Sequence, residues 1–372
     1  MGGLLLTACD TADLSSLPDE SIIELMQGVQ EMRTFAAIVG ADSTLSASLA
    51  EDGTYTVLVP RTVALSTLQT DTLINDPQIL ARVVDRHIIQ GTTLRSGDIT
   101  DRMSVTPIEG TPLTFSTEDG LRVNGARIVT TDVTASNGVL HILDRPILDR
   151  LNAAERILIE SDLQVLETSF DLSDGPLQSR LQDDDATQTV FAPTNDAFAA
   201  AVDSSGDGSV SEAELGQVDL DRVLPYHVLP SRVRAQQIPT SSTPYETLLG
   251  PDLLAVRNGE NGSVTVGSGA DRPTAAVTRA NLEARNGVIH VIDSLLVPPV
   301  NGSRCRPLYK TKNGPAPPAY LWQEEPVRMR SVAMNATGRM QPSRLCQAAS
   351  SRLFEYSISR CSPSSMAKLT LS

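Results

Sequence analysis

The sequence predicts an α+β fold laid out as two tandem copies of one domain. Three observations carry that reading. Segments recur in the same order with offsets of 133, 140 and 149 residues: Thr56-Val57-Leu58-Val59-Pro60 against Thr189-Val190-Phe191-Ala192-Pro193, Arg86-His87-Ile88-Ile89 against Tyr226-His227-Val228-Leu229, and Asn137-Gly138-Val139-Leu140-His141-Ile142-Leu143-Asp144 against Asn286-Gly287-Val288-Ile289-His290-Val291-Ile292-Asp293. All four histidines of the chain fall at matched positions, two per copy. Each copy also passes from helix-like apolar spacing to short β runs bounded by Gly, Asn and Pro. The copies run over residues 20–150 and 151–299, flanked by segments 1–19 and 300–372.

The elements follow in order. Ile22, Ile23, Leu25, Met26 and Val29 lie at helical spacing, and Ala153 to Leu166 take that part in the second copy. A short β run ending in Pro comes next, at 54–59 and 187–192. After the Pro a helix is expected, with Thr194-Asn195-Asp196 supplying capping oxygens in the second copy. A further helix leads into an apolar strand that holds His87 or His227. Short strands with Gly and Asn turns follow, among them Leu113-Thr114-Phe115, Leu121-Arg122-Val123 and Ser263-Val264-Thr265-Val266. The last strand, 139–143 or 288–292, is almost wholly apolar and is expected to be central and buried.

Composition narrows the function classes. The formal net charge is −15. The first 300 residues hold 19 Arg, no Lys and 42 Asp+Glu, whereas the last 72 hold 11 Lys+Arg and 3 Glu. An acidic, Lys-free body excludes a nucleic-acid partner, which needs a concentrated basic surface. Cys9 is the one cysteine before residue 301, so the body has no disulfide framework and no thiolate metal cluster. No segment reaches the ~20 apolar residues of a membrane-spanning helix.

These recurring segments resemble the fasciclin domain. Thr189-Val190-Phe191-Ala192-Pro193-Thr194-Asn195-Asp196-Ala197-Phe198 resembles that family's first signature, Tyr226-His227-Val228 its central Tyr-His motif, and Asn286 to Asp293 its closing signature. The resemblance covers residues 20–299 and is most complete in the second copy. In the first, Arg61-Thr62-Val63 stands where Thr194-Asn195-Asp196 would, and Arg86 replaces the Tyr. The resemblance implies a β-sandwich wedge with packed helices in each copy. It also implies a non-catalytic, cell-surface adhesion role, in which the chain binds a matrix protein, a glycan or another envelope component. Tyr226 and His227 become a candidate binding surface. His87, His141, His290, Asn137 and Asn286 are expected to be structural, because each His lies among apolar neighbours. Two other readings stay open. One is a structural envelope lipoprotein without a dedicated ligand. The other is a hydrolase with its site between the copies, although no Gly-x-Ser-x-Gly elbow occurs.

The sharpest local pattern lies in the second copy. Residues 203–214 fit the twelve-residue EF-hand calcium loop, with Asp203, Ser205, Asp207, Ser209, Ser211 and Glu214 at the ligand positions and Gly208 at the turn. Calcium is therefore the expected cofactor, held weakly as a brace. The first copy has no counterpart. At the N-terminus, Leu6-Thr7-Ala8-Cys9 resembles the bacterial lipobox, which implies acylation of Cys9 and tethering to the membrane of the cell envelope. The apolar run before it is short, as expected of a truncated or misassigned start codon. Residues 300–372 read as a disordered basic extension or as out-of-frame translation.

Overall fold

The computed structural model describes residues 20–298, apart from 52, 260–262 and 268–273. The expected lipidation site at Cys9, the expected tether after it and the segment 300–372 lie outside the described residues. The chain divides into two compact units. The first takes the chain up to Gln164 with Leu181–Ala186 and Glu283–Gly287; the second takes Val165–Arg180, Thr187–Leu282 and the chain from Val288.

Seven strands form the first sheet: β1 (Tyr55–Pro60), β2 (Ile88–Gln90), β3 (Ser104–Val105), β4 (Leu113–Ser116), β5 (Arg122–Val123), β6 (Ala126–Ala135) and β7 (Gly138–Leu143). Their order is β2-β1-β7-β6-β5-β4-β3. The second sheet holds β8 (Gln188–Pro193), β9 (Val228–Leu229), β10 (Thr243–Thr247), β11 (Gly250–Asn258), β12 (Val264–Gly267), β13 (Thr274–Ala284) and β14 (Gly287–Ile292). Its order is β10-β11-β12-β13-β14-β8-β9, the same topology read from the other edge. The duplication seen in the sequence is therefore a duplication of strand order.

The apolar closing strand is central, as its composition predicts. β7 runs parallel to β1 on one side, from Tyr55 opposite Gly138 to Pro60 opposite Leu143, and antiparallel to β6 on the other. A strand covered on both faces needs no polar alternation, and every residue of β1, β8 and β14 is buried. Successive side chains point to opposite faces. In the first unit Val57, Val59, Leu140 and Ile142 meet Ile22, Leu25, Met26, Phe35 and Ile38 of the helices. Leu58 and Leu143 instead meet Leu113, Phe115, Val123 and Ile128. Each such side chain contributes about 1.5–3 kcal/mol over leaving it in water.

Two details depart from the expected elements. After Pro60 the first copy forms a short 3-10 turn, Thr62–Leu65, where the second has the helix Asn195–Val202. The reason is the cap: Thr194 accepts from the Ala197 N–H, whereas Arg61 offers no side-chain acceptor. Further, His87 and His227 do not lie in strands. They are the C-cap residues of helices Pro77–Arg86 and Leu220–Tyr226, each one residue ahead of a short strand. The apolar run after each His belongs to the strand, but the His itself still has helical backbone.

Candidate functional site

Each imidazole spends both nitrogens on main chain. In His87, Nδ1 donates to the Val83 carbonyl at 2.7 Å and Nε2 accepts from the Ile147 N–H at 2.9 Å. In His227 the partners are the Val223 carbonyl at 2.8 Å and the Leu296 N–H at 3.0 Å. A carbonyl oxygen only accepts, so the proton sits on Nδ1 in both rings. The strand histidines are wired the other way. Nε2 of His141 donates to the Leu94 carbonyl at 2.8 Å and its Nδ1 accepts from the Asp132 N–H at 3.3 Å. His290 does the same with Val233 at 2.9 Å and Asn281 at 3.4 Å. Burial pushes His87 and His227 down to about 4 and also lowers His141. These are neutral staples between segments.

Other matched polar side chains do similar work, and the sequence flagged only some of them. Asn137 accepts from the Ile22 N–H and donates to the Leu49 and Glu51 carbonyls. Asn286 accepts from the Ala153 N–H and donates to the Leu181 and Asp183 carbonyls. Thr56 and Thr189 each accept one backbone N–H and donate to one carbonyl across the same turn. Asp144 and Asp293 accept from Arg127 and Ala276. Asp132 and Asn281 both adopt φ 58°, which aims their N–H groups at the strand histidines. Asn and Asp tolerate that left-handed geometry better than other side chains.

A Ser, an Asp and a His do come together in the first unit, in the wrong order for acyl transfer. Ser96 Oγ donates to Asp132 rather than to an imidazole. Nε2 of His141 carries its proton toward Leu94, so no ring lone pair faces the serine hydroxyl.

Tyr226 and His227 correct the expected binding surface: their side chains are 0% and 2% exposed, in the core of the second unit. Tyr226 packs with Phe191, Leu229 and Val256. The family resemblance suggested a recognition pair here, yet Val223, Leu224 and Val228 around it mark an inward face. At the matching place in the first unit, Arg86 is 1% exposed. It donates to both Asp149 oxygens at 3.0 and 2.9 Å, to Glu109 at 3.1 Å and to the Thr111 carbonyl. Sequence reasoning missed Glu109 and Asp149.

The loop 203–214 has the turn its pattern asks for. Gly206 and Gly208 take φ 75° and 80°. Asp203 accepts from the Gly206 and Gly208 N–H groups, and Asp207 from the Ser209 N–H and hydroxyl. Ser211 caps the helix Glu212–Leu215. Glu214 gathers the loop: its carboxylate accepts from the N–H and hydroxyl of Ser204, the Ser205 N–H, and the N–H and hydroxyl of Ser211. Those bonds, the Ser211 pair foremost, hold it down at about 2. Bonds from Gly208 and from Ser209 likewise lower Asp203 and Asp207. The donor set is of the hard oxygens that calcium takes. Here those oxygens face the loop's own N–H and O–H groups. Among the described residues, no three or more His, Cys, Asp or Glu side chains gather closely enough to hold a metal ion.

Comparison with known proteins adds the following. A family model described as Fasciclin domain matches residues 30–149 and 166–298. Protein sll1483 of Synechocystis sp. is 30% identical over 138 residues, which is 34% of this chain and 73% of that protein. Transforming growth factor-beta-induced protein ig-h3 of Sus scrofa is 30% identical over 186 residues, 48% of this chain and 26% of that protein, so the chain spans about a quarter of it. Among solved structures, a FAS1 domain pair from the insect cell adhesion molecule Fasciclin I aligns over 72% of this chain and 97% of its own, with TM-score 0.36 and 16% identity.

Proposed function

Because the chain belongs to the fasciclin domain family, we propose that it is a non-catalytic binding protein of the adhesion type, acting outside the cell. One observation carries this reading. The histidines and asparagines that the two copies share are consumed by backbone hydrogen bonds, so they serve the scaffold. Contacts with a matrix protein, a glycan or another envelope component then fall to residues that differ between the copies. The proposal includes attachment to the cell envelope through an acylated Cys9. No helix among the described residues is long and apolar enough to cross a membrane.

The second domain's loop supports a further part of the proposal: weak calcium binding that braces the segment between helix Asn195–Val202 and helix Glu212–Leu215. Asp203, Asp207 and Glu214 would supply carboxylates, with Ser205, Ser209 and Ser211 beside them. The positive φ of Gly208 favours this reading. The five hydrogen bonds now held by Glu214 compete with the ion, which sets the expected affinity near the extracellular range of about 10⁻⁴–10⁻³ M.

The test is a matrix-protein and glycan array probed with the full chain, once in calcium and once in chelator. Saturable binding to a discrete set of ligands supports the adhesion reading; binding no better than an unrelated acidic protein sinks it. For calcium, the parent protein should melt higher in millimolar calcium and Glu214→Gln should not. Equal melting of the parent with and without the ion removes the calcium part.

A further inference from the structure

The first domain differs from the second by three substitutions that act together. Backbone bonds fix the correspondence. Ile108 N–H donates to the Ile88 carbonyl as Leu248 does to Val228, so Glu109 stands where Leu249 does. Ile147 N–H donates to His87 as Leu296 does to His227, so Asp149 stands where Pro298 does. Thus Arg86, Glu109 and Asp149 replace Tyr226, Leu249 and Pro298. In the second domain Tyr226 belongs to the apolar core, Leu249 packs on that core, and Pro298 is buried. In the first, a buried guanidinium is held by two carboxylates that arrive from different segments.

We propose that these three residues form an electrostatic latch, particular to the first domain, that pins the loop 107–111 and the exit segment 144–150 to the end of helix Pro77–Arg86 and releases them on acidification. The bonds run through one cation. Arg86 reaches Asp149, Glu109 and the Thr111 carbonyl. Arg150 donates to the other Glu109 oxygen at 2.8 Å. Asn124 donates to Asp149 at 2.8 Å. The other titratable groups facing the cluster are Asp85 and the neutral His87 on the helix end, with Asp42 near Asp85 and the Arg82–Glu155 pair one turn back. Burial raises Glu109, but its bonds from Thr111 and Arg150 outweigh that and lower it. It therefore stays charged until the solution is distinctly acid. Protonating Glu109 takes away part of the counter-charge that holds Arg86, and a buried guanidinium short of counter-charge is strongly disfavoured. A tyrosine, a leucine and a proline have nothing to protonate there. Because His87 and His227 are equivalent in the two domains, their titration does not separate them.

Hydrogen exchange of the full chain, read by mass spectrometry and corrected for intrinsic exchange, makes the second domain an internal control. Between about pH 5 and pH 2.5, protection over 104–112 and 144–150 should fall more than over 243–249 and 293–298, by roughly tenfold for each proton taken up per pH unit below the ordinary Glu109 value of 4.5. Equal losses in the two domains overturn the latch. The double variant Glu109→Gln with Asp149→Asn should show the acid level of protection over 144–150 already at neutral pH. Its response to acid should then match the second domain's. If that variant keeps the wild-type response to acid, the latch is wrong even where the first comparison favours it.

Discussion

Acid titration of the helix-end histidines gives the account a measurable magnitude. His227 binds no proton at neutral pH, because a second ring N–H would meet the Leu296 N–H that Nε2 now accepts. Its pKa drops from 6.5 to about 4 on folding. The folded pKa lies below the unfolded one, so the unfolded state takes up the proton first. The resulting stability is fully present above about pH 6.5 and is lost as the pH falls through about 4. At 1.36 kcal/mol per unit, the full loss is about 3 kcal/mol, and about 2 kcal/mol is gone by pH 5. His87 makes the same contribution in the first domain. Guanidinium unfolding at about pH 8, 6.5 and 5 reads this directly, with the two domains fitted as separate transitions. His227→Gln should be less stable at pH 8, and its second-domain transition should lose about 2 kcal/mol less on going to pH 5. A variant whose slope between pH 6.5 and 5 equals the wild type's would refute the claim that His227 is folded as a neutral staple.

Other substitutions probe the same scaffold. Asn286→Ala strips three hydrogen bonds and leaves the Leu181 and Asp183 carbonyls without that donor; a cost of about 3 kcal/mol in denaturant midpoint is expected, with Asn137→Ala comparable. Thr194→Ala removes the cap of helix Asn195–Val202 and should cost about 1 kcal/mol by thermal unfolding. Gly208→Ala forces a side chain into φ 80° and should cost about 1 kcal/mol, whereas Gly28→Ala, with nothing within 4 Å of the added methyl, should be neutral or slightly stabilising.

The duplication was legible because its signals are long and ordered: three matched segments and four matched histidines. They lie on β1, β7, β8, β14 and two helix ends, the places where each domain is most buried. The central position of 139–143 and 288–292 followed from their lack of polar alternation. The Thr194 cap was legible too, since it acts three residues down the chain. What stayed hidden is non-local. Glu109 and Asp149 lie 23 and 63 residues from Arg86, and no local pattern announces an ion pair across such spans. Seen alone, Arg86 looked like decay of the Tyr-His motif. The fixed offsets that align it with Tyr226 also align Glu109 with Leu249 and Asp149 with Pro298, and that was the available signal. Tyr226 misled for a different reason. The resemblance suggested a binding surface, but a helix end feeding a buried strand turns inward. The helical state of His87 and His227 was masked by the strand residues that follow each of them.

The shared histidines act as neutral backbone staples, paired by position in the two domains. With four histidines in the whole chain, their ring nitrogens can be read individually by long-range proton–nitrogen correlation NMR at neutral pH. Two Nδ1–H tautomers, His87 and His227, and two Nε2–H tautomers, His141 and His290, are expected. His87 and His227, held at about 4, should stay uncharged down to about pH 5.5. A single tautomer for all four rings, or an imidazolium already present at His87 or His227 at pH 6.5, would contradict this assignment.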